Sequence, residues 1–318
     1  MSRIASFAGR ALAAAVILTA SLPAKADQFV NVLTGGTSGV YYPLGVALSN
    51  IYGKLPGVKA SVQSTKASVE NLNLLQQGRG EIGFTLGDSL SMAWQGNEEV
   101  GFKAKLDKLR AVAGIYPNYI QIVASADSGI KTLADLKGKR ISVGAPKSGT
   151  ELNARAVFAA AGMTYADFAR VEYLAFAESV DLMKNRQIDA TLQSAGLGVA
   201  SIRDLSNAIP IVVVPIPEDV IGKIGDAAYV PATIPANTYG GQAADVPTAA
   251  VKNFLVTHSG VSEQTVYDMT KGIFDNLDQL QAAHAAAKAI KLDANTAKAP
   301  VPLHPGAAKF YREKGLLN

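Results

Sequence analysis

Short apolar runs alternate along the chain with longer stretches in which apolar residues recur at three- and four-residue spacing. The short runs predict strands, which are Phe29–Leu33, Lys59–Gln63, Ile82–Thr85, Arg110–Ile115, Ile120–Ala124, Arg140–Val143, Arg170–Tyr173, Ala190–Leu192 and Ile211–Pro215. The longer stretches predict helices, which are Tyr42–Tyr52, Ser68–Gln77, Leu133–Leu136, Thr150–Ala161, Ala177–Asn185 and Gly198–Ser206. This alternation predicts an α/β protein with mostly parallel sheets.

The pattern changes towards the end of the chain. Val246–Val256 is apolar enough to predict a strand that returns after a long excursion. Two consecutive amphipathic helices are then predicted at Ser262–Asn276 and Leu277–Ala289, and a short one at Gly306–Lys314. We therefore expect the end of the chain to pack against one lobe.

Two strand-to-helix loops share an unusual composition. The first is NVLTGGTSGVYYPLG, Asn31–Gly45, and the second is VGAPKSGTELN, Val143–Asn153. Both combine glycines with hydroxyl side chains before a predicted helix, where backbone N–H groups and the helix dipole favour an anion. In the second loop, the pairs Ser148 with Glu151 and Thr150 with Asn153 have capping spacing. These loops are either ordinary turns or the two halves of a binding site for a small anion.

The first 26 residues have the layout of an export signal. Arg3 and Arg10 precede an apolar stretch, Ala11–Leu22, and Ala24–Lys25–Ala26 offers small residues to a signal peptidase. A dozen apolar residues are too few for a permanent span, which needs roughly 20. We expect cleavage after Ala26 and a mature protein in the space beyond the membrane, the alternative being an uncleaved anchor. Cleavage lowers the formal net charge by three, from +4 to +1.

The size and the absence of cysteine limit the architecture. With no cysteine, the chain has neither disulfides nor thiolate sites. The 292 residues left from 318 after removal of 26 are near the upper limit for a single core, so two lobes are predicted. From the pattern of runs we place the crossings near Tyr116–Tyr119 and Tyr229–Ile234. Residues 27–116 and 231–318 would form the first lobe and 117–230 the second.

The sequence lacks the motifs that nucleotide binding, nucleic-acid binding, nucleophilic catalysis and metal binding require. Gly35–Val40 fits neither the P-loop nor the dinucleotide fingerprint, and no basic run interleaved with aromatics suggests nucleic-acid binding. Ser128–Lys131 fits S-x-x-K without its companion motifs. His258, His284 and His304 lack metal-ligand spacing and are interpreted as surface or capping histidines. We therefore expect no catalytic residue, metal or cofactor.

The chain resembles the TAXI family, the solute-binding proteins of one branch of the tripartite ATP-independent periplasmic (TRAP) transporters. The resemblance is carried by TGGTSGVYYPLGVALSNI from Thr34, ASVENLNLLQQGRGEIGF from Ala67, LRAVAGIYPNYIQIV from Leu109 and DLKGKRISVGAPKSGTELNA from Asp135. It continues through YVPATIPANTYGG from Tyr229 and PLHPGAAKFYREKG from Pro302. It implies a two-lobed α/β periplasmic binding protein fold with hinge strands and an interlobe cleft.

The resemblance also implies which residues meet a ligand. The first-lobe contacts would be Gly36, Thr37, Gly39, Tyr41, Ser68 and Asp88. The others would be Tyr116 at the crossing and Ser148, Gly149, Thr150, Ala195 and Gly196 from the second lobe. Backbone N–H groups and hydroxyls would hold the carboxylate without an arginine fork. Where the family often has Gln-Ser-Asp, this chain has Leu86-Gly87-Asp88, so two side-chain donors are absent.

The implied role is capture of a small carboxylate and its delivery to TRAP membrane permease subunits driven by an ion gradient. Family ligands include glutamate, glutamine and dicarboxylates such as 2-oxoglutarate. A binding protein that presents its ligand to a sensor kinase would use the same cleft. An enzyme on a two-lobed fold would need a nucleophile or metal site that the sequence does not contain.

Overall fold

The computed structural model describes residues 28–318, so the predicted export signal at 1–26 lies outside the described residues. The strands are β1 Gln28–Leu33, β2 Val58–Gln63, β3 Ile82–Leu86, β4 Leu109–Ser125, β5 Arg140–Ser142, β6 Arg170–Glu172, β7 Ala190–Ala195, β8 Ile211–Val214, β9 Tyr229–Ile234 and β10 Val246–His258. The α-helices are α1 Tyr41–Tyr52, α2 Ser68–Gln76, α3 Gly87–Gln95, α4 Gly149–Ala160, α5 Phe176–Lys184, α6 Ala200–Ala208, α7 Glu218–Ile224, α8 Glu263–Asp275, α9 Leu277–Ala283 and α10 Pro305–Glu313.

The strands form a curled sheet in the order β2-β1-β3-β10-β4-β7-β5-β6, with β8 paired to β4 and β9 to β10. Strands β1, β2 and β3 are parallel, and so are β5, β6 and β7. The long strands β4 and β10 run antiparallel to each other and to their neighbours. The prediction of mostly parallel sheets is therefore wrong, because two long antiparallel strands join two parallel groups.

Those groups define the two lobes. The first lobe is built on β1, β2 and β3, and the second on β5, β6, β7 and β8. Strands β4 and β10 pass through both lobes. Residues 109–114 of β4 pair with the part of β10 that also pairs with β3, whereas residues 119–125 of β4 pair with β7 and β8. Arg110–Ile115 and Ile120–Ala124, predicted as separate strands, are thus parts of one 17-residue strand. The predicted crossings lie within β4 and at β9.

Apolar side chains from both faces of the sheet form the core. In the first lobe Leu33, Leu72 and Leu75 are fully buried between β1 and α2, and in the second lobe Val157 and Leu192 are buried between α4 and β7. Residues 28–318 contain no helix long and apolar enough to span a membrane.

The end of the chain packs on the first lobe, as expected from the sequence. Helix α10 lies against α8, and the Tyr311 hydroxyl donates a hydrogen bond of 2.8 Å to the Val112 carbonyl of β4. The predicted helices at 262–289 are α8 and α9, followed by a short 3-10 turn at Ala285–Ala289. Helices α3 and α7 had not been predicted.

Candidate functional site

A cavity of about 100 Å³ lies between the lobes, at the carboxyl ends of the parallel strands. By the same measure one water needs roughly 10–15 Å³, so the space suits a small organic molecule. Its first-lobe wall is formed by Gly35, Gly36, Gly39, Val40, Tyr41, Thr65, Lys66, Ala67, Ser68 and Leu86. The opposite wall is formed by Asn118, Ala145, Ser148, Gly149, Thr150, Ala175, Phe176, Ser194 and Ala195.

The glycine loop between β1 and α1 gives the second lobe room to approach. The Gly36 carbonyl accepts a hydrogen bond of 3.0 Å from the Gly39 N–H, which closes a tight turn. A Cβ added at Gly36 would lie 4.0 Å from the Ala175 Cβ, and one at Gly39 would lie 3.8 Å from the Phe176 ring. Because neither glycine carries a side chain, the backbone of this loop lies close to the start of α5.

The second loop places the first turn of α4 at the cavity. The Ser148 Oγ accepts a hydrogen bond of 3.1 Å from the Glu151 N–H, so the predicted Ser148–Glu151 cap is confirmed. The N–H groups of Gly149 and Thr150 belong to the first helical turn, where no intrahelical acceptor exists. Both residues line the cavity. The start of α4 therefore offers donors to this space.

The two lobes touch around the cavity, which makes this the closed form of the cleft. The Glu70 N–H of α2 donates a hydrogen bond of 3.2 Å to the Lys147 carbonyl in the second lobe. A Cβ on Gly149 would lie 2.6 Å from the Ser68 Oγ and 2.7 Å from the Leu86 Cδ1. Ala67 and Lys147, on either side of this contact, have φ values of 72° and 63°, a strained backbone of the kind found at ligand clamps.

A buried polar network lies behind the cavity and links both lobes to the long strands. The Tyr41 hydroxyl donates to Asn253 Oδ1, and Asn253 Nδ2 donates to Asn118 Oδ1 at 2.8 Å. Asn118 Nδ2 donates to the Ser194 carbonyl, and Ser194 Oγ donates to Asn153 Oδ1 at 2.6 Å. These bonds satisfy groups whose burial would otherwise be costly, and they hold the cavity-lining Tyr41, Asn118 and Ser194 in place.

Asp88 is the carboxylate at the end of that network. Its Oδ2 accepts hydrogen bonds of 2.7 Å from both Tyr229 Oη and Asn153 Nδ2, and its Oδ1 accepts one of 2.7 Å from the Ser89 N–H. Burial raises the pKa of the Asp88 carboxyl to about 6, although the Tyr229 and Ser89 hydrogen bonds act to lower it. Asp88 joins the first lobe to α4 and β9.

The structure brings together most residues that the resemblance places at the ligand. The cavity is lined by Gly36, Gly39, Tyr41, Ser68, Ser148, Gly149, Thr150 and Ala195. Thr37 is exposed in the glycine loop, and Asp88 is fully buried behind Leu86. Tyr116 and Gly196 lie against each other behind the wall, where a Cβ on Gly196 would be 3.4 Å from the Tyr116 ring.

Some lining residues had not been singled out from the sequence. Thr65, Lys66 and Ala67 follow β2, and Ala175 and Phe176 follow β6. The rule that ligands bind at the carboxyl ends of parallel strands would have found both segments. The same rule covers Ser194, at the carboxyl end of β7. Asn118 carries no such signal, because it lies in the middle of the long strand β4.

Leu86 and Gly87, which stand where the TAXI family often has Gln and Ser, differ in their effect on the cavity. Leu86 lines the cavity with an apolar side chain. Gly87 starts α3, and a Cβ there would lie 3.0 Å from the Phe254 ring and 3.2 Å from the Lys252 carbonyl. The polar side chain missing at position 86 therefore changes the lining of the cavity, whereas a side chain at position 87 would require the Phe254 ring or the Lys252 carbonyl to shift by a few tenths of an ångström.

The three histidines act as helix or turn caps, as interpreted from the sequence. Nδ1 of His258, His284 and His304 accepts a hydrogen bond of 3.1–3.2 Å from the backbone N–H two residues later. Burial lowers the pKa of each imidazole. Within residues 28–318 no group of three histidine or acidic side chains is placed to hold a metal ion.

Comparisons with known proteins agree with this architecture. BugD, a periplasmic binding protein, matches with a TM-score of 0.58 at 13% identity, over 92% of this chain and 99% of that one. The alkanesulfonate-binding protein SsuA from Xanthomonas axonopodis pv. citri, bound to MOPS, matches with a TM-score of 0.51 at 15% identity, over 93% and 96%. A putative L-cystine ABC transporter from Listeria monocytogenes matches with a TM-score of 0.52 at 17% identity, over 83% and 98%.

At these identities the solved structures establish the fold, which is that of a two-lobed periplasmic binding protein. The model of the NMT1-like family matches residues 32–315, which is most of the chain. This protein therefore belongs to the NMT1-like family.

Proposed function

We propose that this protein is an exported solute-binding protein that captures a small carboxylate between its lobes. The supporting observation is the closed cavity, in which the first turn of α4 and the hydroxyl side chains of both lobes meet. Donors arranged in this way bind carboxylate oxygens without an arginine. Binding is coupled to hinge closure, and no chemical step follows.

Lys66 adds a positive charge that favours an anionic ligand. It is exposed at the cavity rim, next to Ala67 and Ser68. The proposed ligands are glutamate, glutamine, 2-oxoglutarate and similar dicarboxylates, as the resemblance to the TAXI family implies. The apolar side chain of Leu86 favours a ligand whose carbon skeleton contacts methyl groups.

The partner and the location follow from the same resemblance. Within the NMT1-like family we assign the chain to the TAXI branch, whose members deliver solutes to TRAP permeases. The export signal would be cleaved after Ala26, leaving the mature protein in the periplasm. Residues 27–116 and 231–318 would move as one body and residues 117–230 as the other.

A thermal-shift screen of the mature protein tests carboxylate capture. A ligand that binds the native state alone raises the melting temperature, by RT ln(1 + [L]/Kd) in free energy. We expect a shift with at least one of 2-oxoglutarate, glutamate, glutamine or a related dicarboxylate. If sugars and cations shift the melting temperature and carboxylates do not, the proposal is wrong.

The Thr150→Leu variant tests whether the second loop contacts the ligand. Thr150 lines the cavity at the start of α4, so a larger apolar side chain there fills the ligand's space and removes a hydroxyl. We expect calorimetric binding of the carboxylate found in the screen to be lost. Thr233→Leu, at an exposed position of β9, is the matched control and keeps its affinity. Unchanged affinity in Thr150→Leu would remove this loop from the site.

A further inference from the structure

The charge on the cavity wall is of one sign. Among its lining residues, all within the described part of the chain, there is a lysine, Lys66, but no aspartate or glutamate. Acids do lie near the cleft, but none of them lines the cavity. Glu70 Oε2 accepts from the Lys66 N–H and Glu178 Oε2 from the Ala175 N–H, each near the start of its own helix, and Asp88 is held by Tyr229 and Asn153.

Six carbonyl oxygens of the wall already accept hydrogen bonds from the protein itself. In the first lobe the Gly35 carbonyl accepts from Ser64 Oγ at 2.8 Å and the Gly36 carbonyl from the Gly39 N–H at 3.0 Å. The same holds on the opposite side for Ala145, Ala175, Ser194 and Ala195, which accept from Ser148, Ser179, Asn118 and Gln121 respectively. These oxygens have donors of their own before a ligand arrives.

Two side-chain oxygens of the wall also accept hydrogen bonds. Asn118 Oδ1 accepts from Asn253 Nδ2 at 2.8 Å, and Ser148 Oγ accepts from the Glu151 N–H at 3.1 Å. Because the Ser148 oxygen already accepts, its proton can be donated to the cavity, as can the first-turn N–H groups of α4.

The other hydroxyls of the wall carry no charge. Tyr41 and Ser194 have donated their protons to Asn253 and Asn153. Their oxygens can therefore accept a hydrogen bond from a ligand, but they are neutral acceptors.

From this we infer that the cavity selects small carboxylates without an ammonium group, such as 2-oxo or 2-hydroxy acids, over the corresponding amino acids. An ammonium enclosed here loses its water and meets no carboxylate of the wall, only neutral acceptors such as the Tyr41 and Ser194 hydroxyl oxygens, while Lys66 at the rim repels it. Burying a charge without an opposite charge beside it is costly. This inference rests on the proposed capture of a carboxylate and narrows its ligand class.

Matched ligand pairs test the selection. We would titrate the mature protein calorimetrically with 2-oxoglutarate and L-glutamate, and with 2-oxoisocaproate and L-leucine. Each pair shares its carbon skeleton and differs at C2. We expect the oxo acid to bind at least about tenfold more tightly in any pair that binds. An amino acid that binds as tightly as its oxo acid overturns the selection but leaves carboxylate capture intact. If no carboxylate binds, both proposals are wrong.

The Ser148→Asp variant supplies the acid that the wall lacks. Aspartate also caps helix N-termini, so α4 can start as before. We expect the ratio of oxo-acid to amino-acid affinity to fall at least about tenfold. Ser262→Asp is the matched control, because Ser262 caps α8 by accepting from the Thr265 N–H at 3.2 Å and does not line the cavity. An unchanged ratio in Ser148→Asp would contradict the selection by the wall.

Discussion

Asp88 shows what a single residue contributes to this fold. The resemblance to the TAXI family implied a ligand contact for it, but the side chain is 0% exposed and hydrogen bonds to Tyr229 and Asn153. Ser148 could be assigned correctly because a cap is a local feature, three residues from its partner. Asn153 could not, since its side chain bonds Asp88, which is 65 residues away, rather than capping beside Thr150.

The raised pKa of Asp88 has a consequence for stability. The folded carboxyl has a pKa of about 6, above the value of roughly 3.9 expected when unfolded. Between these values the native state binds more protons at Asp88 than the unfolded state, so the contribution of Asp88 to stability is greatest at low pH and falls as pH rises through this window. Two pKa units correspond to about 3 kcal/mol.

The Asp88→Asn variant removes this titration. We expect the free energy of unfolding of the wild type, minus that of the variant, to fall by about 2 kcal/mol between pH 4 and pH 7, because at pH 4 the unfolded carboxyl is already about half ionised. Urea unfolding at several pH values measures it. Because the histidines and surface acids titrate in the same way in both proteins, their contributions cancel when the variant's free energy of unfolding is subtracted from that of the wild type. A difference that stays constant across this range would contradict the raised pKa.

At the scale of elements, the starts of the helices were predicted well, and the lengths of the strands were predicted less well. Eight of the ten α-helices in residues 28–318 begin within two residues of their predicted starts, because spacing and caps are local signals.

The separate runs Arg110–Ile115 and Ile120–Ala124 predicted a break between two strands. Pro117, in the stretch between these runs, lies opposite Lys252, next to an irregularity in the pairing of β4 with β10, so β4 continues through it. Whether β4 breaks or continues at this point is determined by its pairing with β10.

Helix α10 anchors the end of the chain through Phe310. This ring is 1% exposed, stacks on Phe274 at 5.6 Å between centroids and meets Tyr267 at 6.2 Å. We expect Phe310→Ala to lower the free energy of unfolding by about 3–5 kcal/mol, measured by urea denaturation. Phe29→Ala is the matched control, because Phe29 is 67% exposed, and it should cost well under half as much. Equal losses would contradict the anchoring role.

At the scale of the whole molecule, the sequence predicted two lobes and a cleft but not the mixed sheet. The parallel groups each follow from local alternation of strand and helix. The direction of β4 and β10 depends on pairs such as Leu255 with Ala113, which are far apart in the chain. The same two strands connect the lobes, so they are the elements about which a hinge motion would occur.

Closure of the lobes around a small carboxylate is the central claim, and Gly149 gives it a direct test. A Cβ at this position would lie 2.6 Å from the Ser68 Oγ and 2.7 Å from the Leu86 Cδ1 across the cleft. Gly149 is the first residue of α4 and has no positive φ, so Gly149→Ala leaves each lobe intact and obstructs their contact.

Gly222→Ala is the matched control, because a Cβ there meets nothing within 4 Å and the site is an exposed position of α7. The decisive measurement is calorimetric titration of the wild type and both variants with 2-oxoglutarate. We expect Gly222→Ala to bind like the wild type and Gly149→Ala to bind at least about tenfold more weakly. Binding of 2-oxoglutarate by Gly149→Ala with wild-type affinity would contradict closure of the two lobes around the ligand.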